Sequence, residues 1–418
     1  MSHIKHLRYT LCAYTHITDL RCRSSYREVV NLETTFNYKS ANCMDNLILF
    51  IVFFVSMVIA VFLLQHANVN ASKGRNLTID GFRGLLAPMV LLHHFTLTYN
   101  WKVEGAWMVH NLFVGNLGSI PVSLFFMITG YLFIGKISKG VSSWPELAVG
   151  RIFRIYPLYI LMLAIIYSVY FVTYEGETSF SSLVKSLAAG IAFFLQPING
   201  YNIGRSISGV QWTLFYEALF YISLPLLSFI IKKGRSSKIY SVISGAVLLL
   251  CFYKTSIRYE LFILFAIGGI AYYVKQLNIK FLKSHVCSII AIIICLIAFT
   301  QTTSYSWYQM ILIGTLFILI SSGNDIFGSL RKNGLVYLGD ISYSIYLTHG
   351  FILYAAFTVF NVYDLSGVSR VGFYILFPII FFVTVIVSIF TYKMVETPFI
   401  RIGKKTIPIF LKKYIKTA

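Results

Sequence analysis

The chain has 418 residues, 57% of them hydrophobic and 12% charged, with a mean hydropathy of +0.74. A soluble domain carries roughly 25% charged residues, so half that share, with apolar runs recurring to the end, excludes an ordinary soluble globule and indicates a polytopic helical membrane protein. The formal charge of +20 would suit nucleic acid, but the basic residues sit in short loops between apolar spans, so the lipid bilayer is the expected partner and nucleic acid is not.

Taken in order, residues 1–43 are polar and mixed, with no apolar h-region, and so are not a secretory signal. They read as a disordered or non-native leader, with Met44 expected as the true start. Residues 44–66 form an N-terminal anchor whose apolar run, 46–64, holds no ionisable group and is long enough to cross a hydrocarbon core of about 30 Å. Further spans are predicted at 84–100, 120–137, 155–174, 210–231, 239–254, 259–275, 284–301, 306–322, 338–360 and 371–394. A shorter apolar stretch, 183–197, is interrupted by Gly190.

The positive-inside rule orients these spans. With 66–83, 136–154, 232–238, 275–283, 329–337 and 393–418 in the cytoplasm, 23 of the 35 Lys and Arg fall on that side and 6 on the other. The alternation holds only if 183–197 does not cross, so it reads as re-entrant or interfacial. The expected fold is therefore all-α: a transmembrane helix bundle of ten core spans over 67–401, one N-terminal span, a short re-entrant segment, and a basic cytoplasmic tail over 402–418. The six cysteines show no paired metal spacing and no disulfide framework. No metal is expected.

Ionisable side chains at membrane depth cost at least ~2.5 kcal/mol each and point first to function. Residues 79–95 open with a charged, glycine-rich turn carrying Asp80 and Arg83 and continue as an apolar helix with His93 and His94. Eleven residues at ~1.5 Å rise put His94 roughly 16 Å beyond Arg83, near the midplane. His93 points about 100° away and reads as a packing neighbour. His349 lies at matching depth in its own span, with Tyr346 three residues earlier on the same face, so the two histidines can form one site. Glu217, roughly 10 Å below the outer edge of its span, needs a partner such as His94, His349 or an arginine, and Phe220 and Tyr221 can wall it. On the cytoplasmic side, Ser143 and Glu146 make a capping box and Pro145 suits a first turn. A short amphipathic helix ending at Pro157 is predicted, with Arg151 and Arg154 on one face, a spacing suited to phosphate oxygens or to ordinary lipid anchoring. Gly118 to Gly130 reads as a close-packed span, not a phosphate loop.

Four blocks together resemble the type 3 membrane-bound acyltransferases, which include bacterial O-antigen and other polysaccharide O-acetyltransferases. They are Asp80-Gly81-x-Arg83 with His94; Arg151 and Arg154; Trp212, Thr213, Leu214, Glu217, Phe220 and Tyr221; and Ile341, Ser342, Tyr343, Tyr346, Leu347 and His349. The resemblance runs from about Asn76 to Arg401. Gln211 stands where the family often has a histidine, the anchor at 46–64 is additional, and no C-terminal esterase-like domain is seen, so the bundle is expected to act alone.

The resemblance implies an integral O-acetyltransferase of the bacterial inner membrane, moving an acetyl group from cytoplasmic acetyl-CoA to a sugar hydroxyl of a lipid-linked or surface glycan. It implies catalytic roles for His94, Glu217 and His349, donor binding by Arg83, Arg151 and Arg154, and substrate contacts from Asp80, Trp212, Tyr216 and Tyr346. The rival reading is a proton-coupled secondary transporter, whose midplane His and Glu would relay protons; no inverted repeat supports it. A non-catalytic assembly protein would tolerate loss of all the buried polar residues.

Overall fold

The computed structural model describes residues 35–67, 75–141, 143–174, 176–231 and 237–415; the expected leader lies mostly outside them. Among the described residues no strand forms. The helices are α1 (Thr35–Leu63), α2 (Leu77–Glu104), α3 (Leu112–Lys139), α4 (Trp144–Thr173), α5 (Phe180–Ile191), α6 (Trp212–Ile231), α7 (Lys238–Lys254) and α8 (Glu260–Gln276). They are followed by α9 (His285–Gln301), α10 (Trp307–Ser321), α11 (Asn333–Asp340), α12 (Ser342–Tyr354), α13 (Arg370–Tyr374), α14 (Phe377–Thr391) and α15 (Thr397–Ile415). Among the described residues, five stretches are long and apolar enough to cross a membrane: Met44–Leu63, Leu112–Lys139, Trp144–Thr173, Trp212–Ile231 and Arg370–Thr406. The other predicted spans are also helical, but they are 15–17 residues long, like α7 to α10, or carry His and charge, like α2.

Burial ranks the helices. The apolar window of α3 is 78% buried, against 28% for α1. Hence α3 sits in the core, while α1 shows Phe54, Phe62 and Leu63 outward, as a lipid-facing helix does.

Three local expectations change. Residues 79–83 are not a turn. Asn76 caps α2 by accepting from the Ile79 N–H at 3.4 Å, and Asp80 to Arg83 already lie in the helix. Its glycines serve close packing: a Cβ on Gly84 would overlap the Leu335 carbonyl, and one on Gly339 the Asp80 carbonyl. Only bare backbone lets α2 and α11 meet this closely. Secondly, Ser143 caps α4 through the Glu146 N–H at 3.3 Å as expected, but α4 runs through Pro157 to Thr173. Burial of Ile155, Leu158 and Tyr159 on either side outweighs the missing hydrogen bond. Thirdly, α1 already includes residues 35–43, where no breaker precedes the apolar run, and the basic tail continues the last helix as α15, with Gly403 closing on Phe153 of α4.

The stretch read as re-entrant does double back along α4. Tyr170 bonds Thr178 at 2.7 Å, Tyr167 bonds Ser186 at 2.8 Å, and Tyr159 donates to the Gly190 carbonyl at 2.7 Å, so α5 descends beside α4. Phe193, with a left-handed φ of 69°, then turns the chain between the rings of Tyr156 and Tyr159. By Tyr201, 3.4 Å from Thr173, it has climbed back. A 3-10 turn, Ile203–Ile207, then docks on α12, where a Cβ on Gly350 would overlap the Ile207 backbone.

Candidate active site

Midway along α2, His94 Nδ1 lies 2.9 Å from His349 Nε2 of α12, with ring centroids 5.0 Å apart. The other nitrogen of His349, Nδ1, is 3.0 Å from the Ile345 carbonyl. A carbonyl only accepts, so Nδ1 of neutral His349 carries its proton and Nε2 offers a lone pair. Nδ1 of His94 must then donate into that lone pair, which leaves the lone pair of neutral His94 on Nε2. His349 is fully buried, whereas His94 keeps part of its surface accessible. The pair is therefore a base with one committed nitrogen and one open nitrogen, held by a second imidazole.

His93 is a packing neighbour, as its helical angle predicts. Its Nδ1 reaches the Val114 carbonyl at 2.7 Å and its ring fills the space at Gly118. Tyr346 sits 6.1 Å from the His349 ring, and its hydroxyl pairs with Thr213 at 2.8 Å. That bond joins two of the four sequence blocks across the bundle.

The arginines gather at the other end of α2. Arg83 donates to Ser342 Oγ at 2.9 Å and lies 3.7 Å from Asp80. Arg154 is within electrostatic range of Arg83, of Lys136 and of Glu396. Arg151 stands 5.2 Å from the Phe133 ring and 6.0 Å from the Tyr221 ring. Arg83 and Arg154 thus flank a buried carboxylate, that of Glu396, which accepts from Ser344 Oγ. Such a cluster of guanidiniums, partly offset by Asp80 and Glu396, suits the phosphates of a polyanion.

Other predicted residues lie away from the histidines. Glu217 accepts from Tyr221 and, at 3.4 Å, from Thr129. It bonds neither His94 nor His349; Tyr221, its donor, has Arg151 6.0 Å from its ring. Asp80 pairs with Arg75 at 2.5 Å, and Arg75 also holds Asp340. Asp80 therefore stands with the arginines, about 21 Å of helix from His94. Trp212 and Tyr216 pack against Phe126, and the Tyr216 hydroxyl accepts the Arg258 N–H at 2.9 Å.

Sequence reasoning missed Glu396, though a lone carboxylate at the edge of the last apolar run was a legible signal. It also passed over Trp107, whose ring stacks 6.3 Å from that of His94.

The family model described as "Acyltransferase domain" matches residues 76–393. A protein named "Putative O-acetyltransferase" from Staphylococcus aureus (strain COL) is 23% identical over 390 residues, covering 81% of this chain and 60% of its own length. "Nodulation protein 10" of Rhizobium leguminosarum bv. viciae is 28% identical over 189 residues, 40% of this chain and 48% of that protein. The chain thus spans about 60% of the length of the staphylococcal relative. No solved structure matches it. With its family match covering most of its length, the chain belongs to the acyltransferase 3 family.

Proposed function

We propose that this protein is a multi-pass O-acetyltransferase of a bacterial inner membrane, with the basic end of α2 toward the cytoplasm and ten core spans. It moves the acetyl group of acetyl-CoA to a sugar hydroxyl of a lipid-linked or surface polysaccharide such as O-antigen. The observation that carries this reading is the hydrogen bond between His94 Nδ1 and His349 Nε2, which leaves a base on the same helix as Arg83, roughly 16 Å from it.

In this mechanism Arg83, Arg151 and Arg154, with Lys136, hold the phosphates of acetyl-CoA, and the thioester arm extends along α2 toward His94. Nε2 of His94 removes the proton of the sugar hydroxyl as the oxygen attacks the thioester carbonyl carbon. The tetrahedral intermediate collapses with cleavage of the C–S bond. The departing thiolate takes the proton back from His94, so an ester and free CoA leave and the enzyme is unchanged. His94 is the catalytic residue, and His349 positions it and stabilises its imidazolium. Glu217, through Tyr221, tunes the donor end, and Asp80 orders Arg83. Transfer of label from acetyl-CoA to lipid-linked glycan by the purified protein tests the reading: labelled glycan ester supports it, and its absence removes it.

A further inference from the structure

The last apolar stretch is not a plain α-helix. Between α14 and α15 the chain widens into a π turn, Tyr392–Glu396. In an α-helix, residues five apart point about 140° from each other, so Thr391 and Glu396 could not meet one partner. Across the wider turn they do. Thr391 donates to Ser344 Oγ at 3.0 Å, and Ser344 Oγ donates to the Glu396 carboxylate. Single π turns are rare and recur at functional sites. This one aims a carboxylate inward, for Glu396 is only 2% exposed.

Three consecutive residues of α12 show what it is aimed at. Ser342 accepts from Arg83 of α2 at 2.9 Å. The Tyr343 hydroxyl donates at 2.7 Å to the carbonyl of Ile155, the neighbour of Arg154 in α4. Ser344 bonds Glu396. One end of α12 thus gathers α2, α4 and the π turn, and the Glu396 carboxylate acts at range on both guanidiniums. Two guanidiniums from separate helices repel each other, most strongly where water is scarce. Asp80 answers Arg83 but is shared with Arg75, whereas Glu396 acts on Arg83 and Arg154 together. We propose that Glu396 is a positioning residue of the donor site: its charge keeps Arg83 and Arg154 side by side before any phosphate arrives. A neutral acceptor would serve Ser344 equally well, and a carboxylate at depth is costly unless its charge is used. Glu396 lies beyond the residues matched by the family model, which end at 393. The inference rests on the acetyl-transfer reading for the identity of the donor, not for the pairing of the charges.

The test uses the full chain in lipid nanodiscs. Glu396→Gln keeps an acceptor for Ser344 and removes only the charge. Its melting temperature should fall by several degrees, and adding Arg154→Gln should recover part of that loss, because one of the two repelling cations is gone. Should Glu396→Gln fail to fold, a recovered yield of folded double variant reads the same effect. A double variant no more stable than Glu396→Gln overturns the inference. With labelled acetyl-CoA and lipid-linked glycan, Glu396→Gln should raise the KM for acetyl-CoA about tenfold, the scale of one misplaced charge-assisted hydrogen bond. The glycan KM and the pH profile of kcat should stay those of wild type, and Glu396→Asp, which keeps the charge, should recover part of the donor affinity. An unchanged acetyl-CoA KM in active Glu396→Gln overturns the inference and leaves the acetyl-transfer reading standing. If wild-type protein transfers no acetyl group, the acetyl-transfer reading falls, and the melting series alone decides whether Glu396 holds the arginines.

Discussion

His94 Nδ1 and His349 Nε2 stand 2.9 Å apart, and the Ile345 carbonyl behind His349 sets the direction of the proton between them. The two imidazoles therefore act as one unit. His94→Ala should slow acetyl transfer by about 10² or more, the usual contribution of a general base. His349→Ala should also slow it and change the pH profile of kcat, while His349→Gln, whose amide oxygen accepts the same hydrogen bond, should recover part of the rate. The double alanine variant should be no slower than His94→Ala, because the residues share one function. Losses that multiply would show two independent roles.

Arg83 and Arg154 lie within electrostatic range of each other and of Glu396. Replacing Arg83 with Gln should raise the KM for acetyl-CoA about tenfold, on the scale of a charge-assisted hydrogen bond, with the glycan KM unmoved. Arg83→Lys should not restore it, since lysine cannot reach Ser342 and a phosphate with one rigid fork. Initial rates measured against each substrate in turn check this, and a selective rise in the glycan KM would place Arg83 at the wrong end.

Glu217 bonds Tyr221 and Thr129 instead of a histidine. Glu217→Gln and Tyr221→Phe should accordingly resemble weakened donor binding, with a raised acetyl-CoA KM and a pH profile of kcat like that of wild type. A displaced pH profile in Glu217→Gln would instead tie the carboxylate to His94.

Gly350 touches the Ile207 backbone across the α12 interface. Gly350→Val must push the 3-10 turn away from α12, beside His349. The expected result is a melting temperature lowered by several degrees, as for a core overpacked by about 1–3 kcal/mol, together with loss of transfer. Wild-type melting and activity would mean that the turn yields freely there.

Much of this arrangement was legible in the sequence because helix rise is constant. Counting eleven residues from Arg83 places His94 at depth, and the same count places His349 at the same level. The doubling back of 183–197 followed from charge alternation. What sequence could not supply was partnership across helices. Glu217 is equally deep whether it meets a histidine or Tyr221, and only the rotation of α6 decides. The helical state of 79–83 was hidden because Gly81 and Gly84 resemble turn residues, whereas they are small in order to meet Leu330 and Leu335. Pro157 misled for a related reason, since burial around it outweighs its local preference. Trp107 was passed over because it is ordinary alone, and only its stacking on His94 gives it meaning.

The central claim is that a thioester held at the arginine end of α2 reacts at His94 with an alcohol arriving from the opposite end, and sealed vesicles of known orientation test it most directly. Labelled acetyl-CoA is supplied only on the side of Arg83 and lipid-linked glycan is present in the bilayer. The account predicts labelled ester on glycan exposed at the opposite face, lost in His94→Ala. Acetyl-CoA that is used only from the side opposite Arg83 would contradict it, as would proton-coupled solute movement with no ester formed.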